Sequence, residues 1–212
     1  MRKYLLHLYL ILSSALLISA SAVEQKWISV KWVSDGDTIV LGDGRHVRYI
    51  GINAPEIAHD NQKAEAFGYT AKKYNQSLVR SKKVRLEFDK EKYDRYGRLL
   101  AYIFLLDGTF INKEMIEKGY AYALPRKPNV KYHTMLLQTQ RDAMSAKQGM
   151  WRNWNDKEGE EYLGNERSKR FHLKTCPYGK RIKKRNRVFF TRKWDAFWSG
   201  FAPCKRCMRS GY

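Results

Sequence analysis

The sequence predicts an α+β domain, mainly β, in which short strands come first and helices are inserted between and after them. Three observations predict this class. Apolar and polar residues alternate along short segments, Asp-Gly and Gly-Asp pairs separate these segments, and apolar residues recur at helical spacing farther on. Together they indicate strands that pair in a sheet and are flanked by helices.

Three strands are predicted before the first helix. Residues Trp27 to Val33 alternate apolar and polar side chains, as a half-buried strand does, and Asp35-Gly36-Asp37 turns the chain into a second strand from Thr38 to Leu41. Gly42-Asp43-Gly44 is a hairpin signal. The third predicted strand runs from Arg45 to Ile52.

The following elements alternate between helix and strand. Apolar residues at helical spacing predict the helices, and a glycine after the last turn marks two of their ends. The predicted elements are a helix from Gln62 to Arg80, strands from Lys83 to Asp89 and from Arg98 to Leu106, a short helix from Asn112 to Lys118, and an amphipathic helix from Tyr132 to Lys147.

The first 22 residues are interpreted as a secretory signal peptide. Arg2 and Lys3 precede an apolar run from Tyr4 to Ile18, and Ala20-Ser21-Ala22 offers small residues for cleavage after Ala22. An uncleaved anchor is the alternative, but the run is shorter than the ~20 residues that span a bilayer. We therefore expect a mature protein that is secreted or periplasmic and has no stable membrane association.

The charge of the chain predicts a polyanionic partner. The formal net charge is +20, and residues 155–212 contribute 16 basic against 6 acidic side chains. Such a field attracts nucleic acid, with an anionic membrane surface as the alternative. The chain also has 14 tyrosines, 9 phenylalanines and 6 tryptophans, whose rings suit stacking on unpaired bases. DNA and RNA are the expected partners, and no feature indicates an oligomeric one.

The stretch Val47 to Glu56, VRYIGINAPE, carries candidate catalytic residues. It contains Arg48 and Glu56, DGDT at 35–38 precedes it, and DRYGR at 94–98 supplies a second arginine. Alone, an Asp-Gly turn or a surface glutamate is usually structural. Together, an aspartate for a metal, a carboxylate to activate water and two arginines for a phosphate form a minimum set for metal-assisted phosphodiester hydrolysis.

These motifs resemble the staphylococcal nuclease (thermonuclease) family. DGDT, R-x4-N-A-P-E and YGR-x-LAYI occur in the family's order, and the resemblance extends from about Trp27 to Trp154. It implies a five-stranded OB-fold barrel with a helix between the third and fourth strands and flanking helices. Trp151 and Trp154 are then expected to pack the last helix against the barrel.

The resemblance also implies an activity. A sugar-nonspecific endonuclease would hydrolyse the phosphodiester bonds of DNA and RNA and leave 3′-phosphate ends. A non-catalytic nucleic-acid-binding protein of the same fold is the alternative. Such proteins usually lose the acidic and arginine residues that this chain retains.

The resemblance assigns metal ligands. Asp37 would be the primary ligand of a calcium ion, beside the Asn53 side chain and the Ala54 backbone carbonyl, while Asp35 and Thr38 would hold these ligands in place. The best-known members have an aspartate at the position of Asn53. Because Asn53 lacks that negative charge, magnesium or manganese is an alternative to calcium as the bound metal.

The resemblance also assigns catalytic roles. Glu56 would be the general base, or the group that orients the attacking water, after a proline that stiffens the turn. Arg48 and Arg98 would bracket the phosphate and stabilise the five-coordinate transition state. Arg95 and Tyr96 would lie near the nucleotide phosphate.

The C-terminal segment contains a separate set of candidate ligands. His172 and Cys176 form one close pair and Cys204 and Cys207 another, and one imidazole with three thiolates suits a closed structural zinc site. A disulfide is the alternative in an exported chain, but three cysteines would leave one unpaired.

This segment resembles the zinc domain of Ada-type DNA repair methyltransferases. His172 stands where that family has its methyl-accepting cysteine, so methyl transfer should be absent. The predicted domains are the signal peptide at 1–22, the nuclease domain at 23–154, a linker at 155–166 and a zinc-stapled module at 167–212. The basic residues expected to contact nucleic acid are Lys180, Arg181, Lys183, Lys184, Arg185 and Arg187.

Overall fold

The computed structural model describes residues 26–58, 63–156 and 158–208. The predicted signal peptide and its cleavage after Ala22 lie outside these residues, as does Gln62 at the start of a predicted helix. Across the three described ranges, no helix has both the length and the apolar character needed to cross a bilayer.

Eleven strands, five α-helices and two short 3-10 helices form in the described residues. The strands are β1 (Trp27–Asp35), β2 (Thr38–Leu41), β3 (His46–Tyr49), β4 (Ile52–Asn53), β5 (Lys83–Glu87), β6 (Leu99–Leu105), β7 (Tyr122–Ala123), β8 (Tyr162–Asn165), β9 (Arg170–Leu173), β10 (Arg187–Phe190) and β11 (Ala202–Pro203). The α-helices are α1 (Gly68–Val79), α2 (Ile111–Glu117), α3 (His133–Ser145), α4 (Pro177–Lys180) and α5 (Lys193–Trp198).

Five strands close into a barrel in the order β1-β2-β3-β6-β5. β1 pairs antiparallel with both β2 and β5, which closes the sheet, and β3 pairs parallel with β6. Ile39, Leu41, Val47, Val84 and Ile103 are fully buried in its core. The predicted mainly β fold, a five-stranded OB-fold barrel with flanking helices, is confirmed, and α1 lies between the third and fourth barrel strands in sequence.

The predicted strand from Arg45 to Ile52 is wrong in its extent. β3 ends at Tyr49, the chain turns at Ile50 and Gly51, and Ile52–Asn53 pairs with β7 outside the barrel. Gly51 has a φ of 78°, a left-handed conformation that glycine adopts without steric cost. This turn brings the segment after it back towards the β1–β2 turn.

A second core joins α3 to the C-terminal segment. Trp151 and Tyr122 pack there with Phe197, and the ring centroids of Trp151 and Phe197 are 5.2 Å apart. The prediction that Trp151 and Trp154 pack α3 against the barrel is wrong. Both rings contact Phe197 and Trp194 of α5, because the C-terminal segment presents an aromatic face that covers them.

The C-terminal segment contains a four-stranded sheet in the order β10-β8-β9-β11. β11 pairs parallel with β9, and the Cys204 N–H donates to the Phe171 carbonyl at 2.8 Å. His172 lies on β9 and Cys204 directly follows β11. The sheet therefore brings together two candidate zinc ligands that are 32 positions apart in sequence, one on β9 and the other directly after the adjacent β11.

Candidate active site and metal centre

Asp37 is a buried carboxylate at the turn between β1 and β2. Its Oδ2 accepts the Ala54 backbone N–H at 2.7 Å, and its Oδ1 accepts the Thr38 hydroxyl at 3.2 Å. Asp35 Oδ1 accepts the Asp37 backbone N–H at 2.9 Å, so Asp35 and Thr38 both hold this turn. Burial raises the pKa of Asp37 to about 8, although Arg48 acts in the opposite direction.

Arg48 projects from β3 into the same network. Its Nη2 lies 2.9 Å from Asp37 Oδ2 and donates to Asn53 Oδ1 at 3.0 Å. Its Nη1 donates to the backbone carbonyls of Tyr49 and Ile52 at 2.7 and 3.0 Å. The turn after β3 thus surrounds the guanidinium, and the Nη2 atom of Arg48 contacts both Asp37 and Asn53.

The Asn53 side chain is also fixed from the other side. Its Nδ2 donates to the Ala54 carbonyl at 2.9 Å and to the Tyr122 hydroxyl at 3.0 Å. Asn53 and Tyr122 are register partners in the β4–β7 pair. Tyr122 therefore orients the amide that stands at a predicted ligand position.

Glu56 lies next to the C-terminal segment. Its Oε1 accepts a hydrogen bond from Lys205 Nζ at 2.6 Å. Its backbone N–H donates to Glu65 Oε2 at 3.0 Å, and its backbone carbonyl is packed against Gly68 at the start of α1. A carboxylate of the segment between β4 and α1 and a lysine of the C-terminal segment thus form an ion pair.

Arg98 is held by the loop before β6. Its Nε and Nη2 both contact Asp94 Oδ2, at 2.8 and 2.7 Å, and its backbone N–H donates to Asp94 Oδ1 at 3.0 Å. The guanidinium carbon lies 5.7 Å from the ring centroid of Tyr96, and that of Arg95 lies 4.7 Å from it. Tyr96 is 68 % exposed, so its ring borders solvent beside both arginines.

These elements surround one large cavity, here called the main cleft, of about 580 Å³. Residues from the barrel, the loop before β6 and the C-terminal segment contribute to its wall. They include Arg48, Asn53, Asp94, Arg98, Arg170 and Lys205. The structure therefore brings both predicted arginines to one cleft, with Asp37 bonded to Arg48 and Glu56 bonded to Lys205 at its wall.

The predicted ligands fit a hard divalent cation by their chemistry. Asp37 offers a carboxylate, Asn53 an amide oxygen and Ala54 a carbonyl oxygen, and such oxygens are what calcium and magnesium take. Asp37 and Ala54 are in direct contact through the Ala54 N–H, and Asn53 is the next residue in the chain. Arg48 is bonded to Asp37 and to Asn53, so the guanidinium lies where these two oxygen donors meet.

The four predicted zinc ligands converge in the C-terminal segment. Ligand atoms of His172, Cys176, Cys204 and Cys207 all lie within 4.8 Å of one another, and the three cysteines are free thiols. Burial and the nearby Arg170 lower the pKa of His172, which favours the neutral imidazole that a metal needs.

The thiol of Cys176 is tuned by the backbone around it. Burial alone would raise its pKa, but hydrogen bonds from the Gly179 and Tyr178 backbone N–H groups, together with those of the Cys207 and Cys204 side chains, outweigh burial and lower it. Such N–H donors stabilise a thiolate, the form that coordinates metal.

The basic run from Lys180 to Arg187 lies on the surface of the same segment. Lys180, Arg181, Lys183, Lys184 and Arg185 are exposed. Arg187 is half-buried, and its guanidinium donates to the carbonyls of Ile182 and Lys180 at 2.8 and 3.0 Å. Arg187 therefore braces this turn, whereas the other five cations face solvent.

Sequence comparison agrees with this geometry. Residues 46–153 match the family profile described as "Staphylococcal nuclease homologue". The chain is 36 % identical over 137 residues to a thermonuclease of Staphylococcus hyicus and 35 % identical over 136 residues to a thermonuclease of Staphylococcus intermedius, each alignment covering 63 % of this chain and 80 % of the relative. It is also 38 % identical over 122 residues to Endonuclease YncB of Bacillus subtilis (strain 168), covering 55 % of this chain and 57 % of that protein.

The fold and the site thus define a barrel of the oligonucleotide-binding type with a charged cleft. The chain belongs to the staphylococcal nuclease family.

Sequence reasoning missed several residues that build the main cleft. Lys205 and Arg170 carry no local signal, because their role depends on how the C-terminal segment packs against the barrel region. Tyr122 is likewise identified only by its pairing with Asn53. Asp94 could have been found, since an aspartate at the start of a glycine-containing turn commonly accepts backbone N–H groups of that turn, as Asp94 does from Tyr96 and Arg98.

Proposed function

We propose that the protein is a divalent-metal-dependent endonuclease that hydrolyses the phosphodiester bonds of DNA and RNA. The arrangement of Arg48 and Arg98 carries the proposal: they are 50 positions apart in sequence yet line one cleft. The buried Asp37 contacts Arg48, and Glu56 contacts Lys205, which also lines this cleft. The names of the relatives, thermonuclease and endonuclease, support the same class of reaction.

Each residue takes a role that its position supports. Glu56 accepts a proton from the attacking water or orients that water. Arg48 and Arg98 donate paired hydrogen bonds to phosphoryl oxygens and stabilise the additional negative charge of the transition state. Arg95 and Tyr96 line the approach of the nucleotide. Two guanidiniums at one phosphate act on the backbone alone, which DNA and RNA share.

The metal ligands are Asp37, Asn53 and Ala54. When bound there, a calcium ion supplies positive charge to the phosphate, and magnesium or manganese is open because Asn53 is neutral. Arg48 contacts Asp37 and Asn53, so its guanidinium lies beside the oxygens that would hold the cation.

The products and the location follow from the family resemblance and the N-terminal sequence. Cleavage of the bond to the 5′ oxygen leaves 3′-phosphate ends. Cleavage of the signal peptide after Ala22 releases a secreted or periplasmic enzyme. End-group analysis of a 5′-labelled oligonucleotide and N-terminal sequencing of the exported protein test these two statements.

The C-terminal segment binds a structural zinc ion. His172, Cys176, Cys204 and Cys207 form a closed set of four ligands, which leaves no open coordination position for catalysis. The exposed lysines and arginines between Lys180 and Arg185 contact nucleic acid and raise its local concentration at the main cleft.

Digestion of plasmid, single-stranded DNA and RNA tests the function. The wild type should cleave all three substrates when at least one of calcium, magnesium and manganese is supplied. A chelator should stop cleavage, and adding back the metal that supports it should restore cleavage. Glu56→Gln should lower kcat by about 100-fold or more and keep substrate binding. Glu117→Gln is the control, since Glu117 is a half-buried partner of Lys113 on α2 and does not line the main cleft.

Two results would count against the proposal. Cleavage by Glu56→Gln at the wild-type rate would remove Glu56 from its role. Tight binding without cleavage, whichever metal is supplied, would instead support the non-catalytic binding protein.

A further inference from the structure

Lys205 is a residue of the zinc-ligand turn that reaches the candidate active site. It lies between Cys204 and Cys207 in sequence and contacts Glu56 Oε1 at 2.6 Å. The turn is fixed at both ends, since the Cys204 N–H donates to the Phe171 carbonyl at 2.8 Å and the Met208 N–H donates to the Cys204 carbonyl at 3.0 Å. Its placement beside Glu56 is therefore a consequence of the module's fold.

A second cavity, here called the Tyr178 pocket, lies on the C-terminal module. It has a volume of about 280 Å³ and is lined by Arg170, His172, Tyr178, Cys204, Lys205 and Arg206. Arg170 and Lys205 also line the main cleft. The two cavities are therefore neighbours that share two cations, and Arg170 is braced there by its 2.8 Å hydrogen bond to the Pro203 carbonyl.

Tyr178 has the surroundings of a base-stacking platform. Its ring is 42 % exposed, and the guanidinium carbons of Arg206 and Arg181 lie 4.8 and 5.8 Å from its centroid. An exposed aromatic ring flanked by cations binds single-stranded nucleic acid, because each base has a face that stacks and each phosphate attracts a guanidinium. An exposed tyrosine alone would be unremarkable, but this one lines a cavity that shares Arg170 and Lys205 with the main cleft.

We propose that the C-terminal module forms a second substrate subsite, in which a single-stranded polynucleotide runs from the main cleft past Arg170 and Lys205 and stacks one unpaired base on Tyr178. The subsite rests on the proposed function, because the strand it holds is the substrate of the main cleft. It gives the module a direct part in substrate binding, beyond attraction by its charge. Two of the proposed zinc ligands, His172 and Cys204, line the pocket, so an ion held by them would also fix this part of its wall.

The test measures binding without turnover. Zinc-loaded full-length protein carrying Asp37→Asn, which removes the primary ligand carboxylate, is titrated with labelled dT12, dT3 and a 12-base-pair duplex. Tyr178→Ala is then added to this background, with Phe189→Ala as the matched control. Phe189 is 67 % exposed and lies on β10, at the opposite edge of the sheet from β11.

The proposal predicts that Tyr178→Ala weakens binding of dT12 about tenfold, the loss expected for one stacked base. Binding of dT3, which fills the main cleft alone, and of the duplex should stay within about twofold. Lys205→Gln should reduce the dependence of log K on log salt by about 0.7 for dT12, the value for one lost phosphate contact on a single strand. Phe189→Ala should change none of these values.

The subsite would be overturned if Tyr178→Ala lost the same affinity for dT3 as for dT12, or lost no affinity for dT12. An equal loss of affinity for the duplex would also overturn it. Because no cleavage is needed, this result is separate from the digestion experiment. A protein that fails to cleave plasmid would contradict the proposed function and leave the length dependence of binding to decide the subsite.

Discussion

Arg98 is held in one conformation by a single neighbouring residue, Asp94. Asp94 bonds both its guanidinium and its backbone N–H, so the side chain loses its rotamer freedom before a substrate arrives. Asp43 and Arg45 form the same pattern on an exposed hairpin, where the aspartate also accepts the arginine's backbone N–H and its guanidinium. The second pair does not line the main cleft, which makes it a natural comparison.

The variant Asp94→Asn should lower kcat for plasmid cleavage by about tenfold. Asparagine keeps the shape but loses the charge that fixes Arg98, so the guanidinium is less well placed at the phosphate. Asp43→Asn should leave kcat within about twofold of wild type. Steady-state kinetics on the three proteins check this, and equal rates for both variants would show that Asp94 does not position Arg98.

The lowered pKa of Asp94 implies that the free energy of unfolding depends on pH in the acidic range. Burial acts to raise its pKa, but the hydrogen bonds from Arg98 and from the Tyr96 and Arg98 backbone outweigh it, and the pKa is lowered from 3.8. A carboxylate with a lowered pKa stabilises the folded state above its unfolded pKa, and this contribution is lost as the pH falls through the folded value.

Wild type should therefore be more stable than Asp94→Asn by about 0.5–1 kcal/mol at pH 7, a modest value because the pair is partly exposed. The difference should shrink below about pH 4. Melting temperatures between pH 7 and pH 3 measure it. A difference that stays constant over this range would contradict the assigned cause.

At the scale of elements, the start of α1 fixes the turn that carries Glu56. A Cβ added at Gly68 would lie 2.3 Å from the Glu56 carbonyl oxygen and 2.8 Å from the Glu56 carbonyl carbon. Both are backbone atoms, so no rotamer change relieves the contact. The helix approaches the turn this closely only because residue 68 has no side chain.

The variant Gly68→Ala should thus destabilise the protein by about 1–3 kcal/mol and lower kcat more than it changes KM, since Glu56 is displaced. Gly42→Ala is the control. A Cβ there meets nothing closer than the Ser29 carbonyl oxygen at 3.6 Å, an ordinary contact. Denaturant unfolding and initial rates compare the two, and a stable, fully active Gly68→Ala protein would contradict the packing described.

The whole molecule contains two hydrophobic cores with different structural roles. The barrel core holds the network of Asp37 and Arg48, whereas the aromatic core around Trp151 and Phe197 attaches the C-terminal module to α3. Gln140 of α3 adds to this attachment, since its Nε2 donates to the Phe197 carbonyl at 2.6 Å. The module is therefore packed on the nuclease region, and this packing places Lys205 beside Glu56.

Removal of zinc should affect both stability and activity. Purified protein should contain about one zinc per chain, and Cys207→Ala should lose it, because a three-ligand site binds a structural zinc far more weakly. We expect a lower melting temperature, a change in tryptophan fluorescence from Trp151 and Trp194, and slower cleavage of long single-stranded DNA. Elemental analysis that finds no zinc, with a disulfide between two of the cysteines, would contradict the metal site.

The period-two alternation and the Asp-Gly and Gly-Asp turns predicted a strand-first, mainly β domain, and the resemblance to the nuclease family implied that its strands close into a barrel. Sequence reasoning missed the break at Gly51, because the apolar run through Tyr49 and Ile52 continues across it and only the backbone conformation of the glycine separates two strands. It could not place Lys205 beside Glu56. Those residues are 149 positions apart, and packing of aromatic side chains elsewhere brings them together.

We propose that Arg48 and Arg98 act on one phosphate at one metal-dependent centre. The most direct measurement is kcat for DNA cleavage by Arg48→Lys and Arg98→Lys, each checked for folding by circular dichroism. Lysine keeps the charge but lacks the paired donors of the guanidinium. We predict that each change lowers kcat by about 100- to 1000-fold and KM changes by less than about tenfold. Wild-type kcat in either folded variant would contradict the account.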